Sequence, residues 1–347
     1  MWFRRACSVM AWNGLLLVVG LLVIEAIFGG WLSPGGFGAL HIPRNVTLRH
    51  DVTNQGRPTG IAIYRRDQWG LRGAFETPDR IDVLAVGGST TNELYVDDRL
   101  TWTAVLQQQF AAAGKKVVVA NAGIDGHSTV GHLNSFDLWF PRVPGLKPKF
   151  VLFYVGINDV QVEEHVRYDV IVPKGVWQKF RRTVSNESAL NSAFRTLRGM
   201  LRAKRARLIY LDNPPVVAPI DANPSLDKSA YDVRITQYAA RLKLLAAKVA
   251  AMGARPIFVT QRRGDAFTIA GRNHATNSTA LVNRQIQNLF NATTMRVCRA
   301  VQAICIDLAG EIKLSTKDFT DPIHTNISGS RKIGEYLYGR LKSLFPE

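Results

Sequence analysis

Five short apolar runs constrain this chain more than any other feature: Val83–Val86, Lys116–Ala120, Phe150–Val155, Pro256–Thr260 and Ala303–Asp307. Runs of this length with little polar interruption read as strands buried on both faces, since a half-solvated strand would alternate. Between them lie stretches with helical spacing. Trp102, Val105, Leu106 and Phe110 mark a helix over Thr101–Gly114, and others are expected at about residues 128–140, 231–252, 279–299 and 328–344. Such alternation implies βαβ units, hence an α/β fold with a mostly parallel sheet and helices on both faces. Ligands bind such sheets at the carboxyl ends of the strands. Three of those ends carry Ser89, Gly123 and Asn158.

The N-terminus has a different character. No charged residue occurs from Ala6 to Ile24, and apolar sequence resumes after Glu25 as far as Leu32. A helix of that length crosses about 30 Å of hydrocarbon. Arg4 and Arg5 precede it and no Lys or Arg follows until Arg44, so the positive-inside rule places the N-terminus in the cytoplasm and the rest outside. The alternative is a cleaved signal peptide, but no Ala-x-Ala-like site follows the run. Glu25 is expected to be solvated at the interface rather than functional within the membrane. The organisation expected is therefore an anchor over 1–32, a juxtamembrane extension over 33–78 that becomes β-like, with a short strand near Gly60–Tyr64, and packs on the domain that follows, and a catalytic domain over 79–347.

Each strand-end residue has a plain reading when taken alone. Gly123 suits a turn, Asn158-Asp159 a cap, Asp321-Pro322 a turn start, and His324 a satisfied histidine. Together, Gly88-Ser89, Gly123, Gly156-Ile157-Asn158-Asp159 and Asp321-Pro322-Ile323-His324 resemble, in order and spacing, the four blocks of the SGNH (GDSL) hydrolases. Gly88 stands where the Gly-Asp-Ser form has its aspartate. The resemblance covers about residues 79–347 and implies a three-layer α/β/α, flavodoxin-like fold. It also implies a Ser89 nucleophile, a His324 base oriented by Asp321, and an oxyanion hole from the Ser89 and Gly123 N–H groups and the Asn158 amide. The longer strings Gly-Gly-Ser-Thr-Thr, Asn-Ala-Gly-Ile-Asp-Gly and Phe-Tyr-Val-Gly-Ile-Asn-Asp are similar to membrane-anchored members associated with bacterial extracellular polysaccharides. The implied activity is removal of acyl groups, acetyl above all, from a carbohydrate. Two alternatives stand beside it: an O-acetyltransferase using the same serine, and a non-catalytic glycan-binding or assembly protein.

Other chemistries fit less well. The α/β-hydrolase elbow needs Gly-x-Ser-x-Gly, whereas Ser89 is followed by Thr90-Thr91. Neither Gly-x-x-x-x-Gly-Lys-Ser/Thr nor Gly-x-Gly-x-x-Gly occurs, so no cofactor is expected. His127 and His132 lack a third ligand, and Glu163, Glu164 and His165 suit a solvated face, so no metal is expected. His127 follows the Gly123 turn and is a candidate for bordering the substrate cleft. Arg72 is a candidate for a substrate anion, against the plainer role of a surface ion pair.

An insertion at about 161–229 breaks the alternation. Between Lys179 and Arg207 it holds nine Lys or Arg and one acidic residue, Glu187, which is about half of the net charge of +17. Phe194, Leu197, Leu201 and Leu208 keep helical spacing there, giving a basic amphipathic helix. It would lie on an anionic lipid surface, guide an anionic glycan, or simply cap the domain. Nucleic acid is not expected for an extracytoplasmic domain. Cys298 and Cys305 are close enough to pair outside the cytoplasm, or remain two buried thiols.

Overall fold

In chain order the elements are α1 (Trp2–Phe28), β1 (Val46–Asp51), β2 (Ile61–Arg66), β3 (Val83–Gly87), α2 (Ser89–Asn92), α3 (Trp102–Ala112), β4 (Val119–Asn121), α4 (Thr129–Leu138) and β5 (Phe150–Tyr154). They continue with α5 (Val176–Glu187), β6 (Ala218–Pro219), α6 (Asp232–Ala251), β7 (Arg255–Val259), β8 (Ala266–Ile269), β9 (Arg272–Ala275), α7 (Ser278–Ala300), β10 (Ile304–Ile306), α8 (Leu308–Glu311) and α9 (Ile327–Leu341). This computed structural model describes residues 2–31, 40, 42–52, 60–162, 175–191, 193–194, 216–220 and 224–346. Two units are distinguished, Met1–His41 with Val172–Ile209 and Ile42–Ile171 with Tyr210–Glu347.

In the larger unit the five apolar runs form one parallel sheet in the order β10-β7-β5-β3-β4. Successive strand residues face opposite sides. Val83, Ala85, Leu152 and Ile257 thus pack with Trp102, Leu106 and Phe110 of α3 and Ile333, Leu337 and Leu341 of α9. On the other face Phe136 of α4 lies against Phe153, which stacks on Phe258 at 5.2 Å, and Tyr238 of α6 meets Phe290 of α7. Each such buried side chain contributes roughly 1.5–3 kcal/mol. The two helix layers therefore hold the carboxyl ends of the strands in place.

Several boundaries differ from the sequence reading. β4 begins at Val119 and runs to Asn121, because the Val118 carbonyl accepts the N–H groups of both Asp82 and Val83 and only then does the ladder start. β1 pairs antiparallel with β2, so the segment ahead of residue 79 contributes a hairpin to the larger unit. A second hairpin, β8–β9, turns through Ala270 and Gly271, both at positive φ. That is the conformation of a tight hairpin turn, and Ala-Gly lacks the Asn-Gly signature that announces one.

In the smaller unit α1 contains the apolar span Cys7–Phe28, of mean hydropathy 2.2. It is the one helix among the described residues long and apolar enough to cross a membrane. Glu25 is not merely solvated: its carboxylate accepts hydrogen bonds from Ser188 Oγ (2.6 Å), the Ala189 and Leu190 N–H groups (3.1 Å each) and Trp31 Nε1 (2.7 Å). The helix described in the insertion is α5, ahead of the expected one, and most of the stretch from Leu190 to Leu208 lies outside the described residues. Cys298 and Cys305 are joined by a disulfide, which resolves the two alternatives left open for them.

Candidate active site

The serine is placed by the end of β3. Gly87 closes the strand, and the Gly88 carbonyl accepts the N–H groups of Thr91 and Asn92, starting the single turn of α2 at Ser89. A side chain on Gly88 would lie 2.3 Å from Asn158 Nδ2, so glycine is what lets the Asn158 amide reach the serine's turn. Neighbours tie the turn down. Trp102 Nε1 donates to Thr90 O (3.1 Å), Asn121 Nδ2 to Thr91 O (2.5 Å), and Gln261 Nε2 to Thr90 Oγ1 (2.8 Å).

Residues 235 positions apart meet here: Ser89 Oγ is 2.7 Å from His324 Nε2. His324 Nδ1 is 2.6 Å from Asp321 Oδ2, and Asp321 Oδ1 accepts the N–H groups of Ile323 and His324 at 2.8 Å each. An ionised carboxylate can only accept, so Nδ1 carries the ring proton and Nε2 is left to accept from the serine hydroxyl. Burial lowers the affinity of His324 for a proton, but the Asp321 hydrogen bond and charge, with Asp125 and Glu93 behind it, outweigh burial and raise its pKa above 6.5. Burial pushes Asp321 the other way, and its bonds to His324 outweigh that and hold it below the ordinary carboxylate value. A cavity of about 320 Å³ opens over Ser89 and His324, walled by Leu94, Tyr95, Asp125 and Gly126.

Not every expected residue faces that cavity. The Gly123 N–H donates to Asn121 Oδ1 at 2.9 Å, and its carbonyl accepts from Arg66 Nη2, so Gly123 is not an available oxyanion donor. It is a packing residue, because a Cβ there would stand 2.3 Å from the Asn92 nitrogen. Gly126, three residues on, lines the cavity instead. Asn158 Nδ2 donates to His127 O at 2.8 Å, which orients the amide with a second N–H to spare. The His127 side chain does not border the cleft: it is 2% exposed, and its part in the site is that carbonyl. Arg72 is likewise buried, ion-paired to Asp98 at 2.6 Å and bonded to the carbonyls of Asn92, Glu93 and Val96, so it supports the loop after α2 and contacts no cleft.

Glu93, which the sequence did not single out, is buried at the cavity wall in a left-handed conformation (φ 50°). Its carboxylate accepts from the Trp102 N–H at 2.8 Å and from Ser330 Oγ. Burial pushes its pKa up to about 7, against those hydrogen bonds. A lone glutamate four residues after the serine carries no motif, so only the fold shows it. Gly126 was more accessible, as the second glycine of Asn-Ala-Gly-Ile-Asp-Gly. Among the described residues no group of His, Cys, Asp and Glu is arranged to hold a metal.

The family model described as the GDSL-like Lipase/Acylhydrolase family matches residues 85–332. No curated protein matches the chain. Among solved structures, TesA is 18% identical, with 76% of this chain and 98% of that one covered at a TM-score of 0.44. The psychrotrophic esterase EstA from Pseudoalteromonas sp. is 13% identical over 76% and 98% of the two chains, TM-score 0.41. Axe2, an acetylxylan esterase from Geobacillus stearothermophilus, is 13% identical over 76% and 94%, TM-score 0.43.

Proposed function

Because the chain belongs to the GDSL-like lipase/acylhydrolase family, we propose that it is a serine esterase removing small acyl groups, acetyl above all, from a carbohydrate through an acyl-enzyme on Ser89. The observation that carries this reading is the unbroken hydrogen-bonded line Ser89–His324–Asp321, at 2.7 and 2.6 Å. An unassisted hydroxyl is a poor nucleophile at neutral pH. His324 Nε2 takes the Ser89 proton as Oγ attacks the ester carbonyl, and Asp321 stabilises the imidazolium that results. The tetrahedral oxyanion is met by the Ser89 and Gly126 N–H groups and the free N–H of Asn158. Collapse expels the sugar alkoxide, which takes the proton back from His324. Water, deprotonated by the same imidazole, then releases the carboxylic acid. Two features support an extracytoplasmic site beyond a membrane anchor: the Arg4-Arg5 pair ahead of the apolar span, and the Cys298–Cys305 disulfide, a bond that persists in oxidising compartments.

The test is mass spectrometry of the chain after incubation with an activated acetyl ester. Acetyl on Ser89, absent in Ser89→Ala, is expected. A chain that neither acetylates nor labels at Ser89 with a serine-directed phosphonate refutes the reading in favour of a non-catalytic glycan-binding protein. Product analysis with a glycan acceptor present separates hydrolysis from transfer: free acid is expected to dominate, and dominant acyl-glycan would make the chain a transferase.

A further inference from the structure

A second cavity of about 320 Å³ lies past the carboxyl ends of β7 and β10, bounded by the loop after β7, by α7 and by Ala309. Two half-buried arginines stand in it, and among the described residues both are held by neutral acceptors. Arg262 Nη1 donates to the carbonyls of Ala309 (3.3 Å) and Ile312 (3.0 Å), with the guanidinium 5.3 Å from the Phe267 ring centre. Arg284 donates to Thr268 Oγ1 (3.1 Å) and Asn273 Oδ1 (2.8 Å). Among the described residues no carboxylate lies within 4.0 Å of either, whereas the adjacent Arg263 is paired with Asp265 at 2.6 Å. Burial, and for Arg262 the charge of Arg284, lower the proton affinity of both. Two like charges kept oriented and partly desolvated, with no carboxylate partner among the described residues, favour an anion, and guanidinium forks match a carboxylate bidentately.

We propose that this cavity binds the carboxylate of an acidic sugar unit, so that the carbohydrate deacylated at Ser89 is a uronate-containing one. Its substrate part rests on the esterase reading above. Two further observations favour an acidic sugar over a bare anion. Gln285 and Asn288 bring amide groups suited to sugar hydroxyls into the same cavity. The cavity is also joined to the catalytic centre: the Gly264 N–H donates to Pro322 O at 2.8 Å, beside Asp321, and Gln261 in the cavity wall bonds both Thr90 Oγ1 and the Ile157 N–H. In the proposal one extended chain occupies both places.

The experiment is isothermal titration calorimetry of the full chain in neutral detergent with trigalacturonate and, separately, the neutral trisaccharide maltotriose. Trigalacturonate is expected to bind in a salt-dependent manner, and maltotriose about tenfold more weakly or worse. Arg284→Gln is expected to weaken trigalacturonate about ten- to hundred-fold, the range for losing a charged hydrogen-bond pair. Asn288→Asp, a change at an exposed position that spares the fold, is expected to weaken it too, by adding a like charge. Arg299→Gln, exposed near the end of α7, removes the same charge outside the cavity and is expected to bind as wild type does. Equal affinity for the two sugars, or wild-type affinity in Asn288→Asp or in a folded Arg284→Gln, overturns the proposal. Inorganic phosphate competing as tightly as trigalacturonate does so as well, since the cavity would then read charge alone. Hydrolysis of p-nitrophenyl acetate by the same wild-type sample tests the esterase reading separately, and its absence would leave the calorimetry standing.

Discussion

Gly123→Ala tests whether the serine's position depends on close backbone packing two strands' ends apart. The added Cβ would lie 2.3 Å from the Asn92 nitrogen and 2.7 Å from the Thr91 carbonyl carbon, whereas ordinary contact begins at 3.4 Å. A gap of about 1 Å must therefore open between the Gly123 turn and α2. Nothing at that contact is the tip of a flexible side chain. The turn is also held from behind by Trp102, Asn121, Gln261 and Arg72, so the strain falls on α2 as a whole. Overpacking of this kind costs about 1–3 kcal/mol of stability. Because α2 begins with Ser89, its displacement lengthens the 2.7 Å bond to His324, and a misplacement near 1 Å costs on the order of 10²-fold in rate. The assay is kcat on p-nitrophenyl acetate together with the thermal unfolding midpoint. The backbone N–H survives the substitution, so a loss of rate reports displacement. Wild-type kcat with an unchanged midpoint would refute the reasoning.

Asn158→Ala removes one proposed oxyanion donor and is expected to lower kcat by about 10²–10³-fold with little change in KM; an unchanged kcat would remove Asn158 from the site. Since His324 must be neutral to act as the proposed base and its pKa is raised, kcat/KM is expected to rise with pH through a midpoint above 6.5, and a midpoint at or below 6.5 would contradict the raised value. Glu93→Gln deletes one of the charges that raise His324, so it is expected to move that midpoint to lower pH. The same variant tests linkage. Glu93 binds its proton more tightly when folded, so the wild type loses stability as pH rises from 4.5 to about 7, by roughly 3 kcal/mol for a rise of that size. Denaturant unfolding below and above that window is expected to show the slope in wild type and a smaller one in Glu93→Gln; identical slopes would mean that Glu93 ionises freely.

The layered α/β fold was legible in the sequence because buried parallel strands leave uninterrupted apolar runs and amphipathic helices leave a 3.6-residue period, both local signals. Val83–Val86 and Phe150–Val155 needed no partner to be recognised. The β8–β9 hairpin and the exact span of β4 were not legible. Their limits are set by a turn lacking its usual residues and by the Val118 carbonyl binding two neighbours.

The sequence by itself determined which chemistry-bearing residues end on one edge: Ser89, Asn158, Asp321 and His324 follow from motif order and topology. Which neighbouring groups are free to act was decided only by tertiary structure. Gly123 and Gly126 are equivalent as letters, yet the Asn121 side chain occupies one N–H while the other glycine lines the cavity. His127 and Arg72 look available in a sequence and are enclosed in the fold. Glu93, unmarked by any motif, acquires its raised pKa from burial alone, as Arg262 and Arg284 acquire their shared cavity from two elements distant in the chain. A hydrogen bond, a desolvation and a clash each depend on what lies a few ångströms away, and that distance is written in no local stretch of the chain.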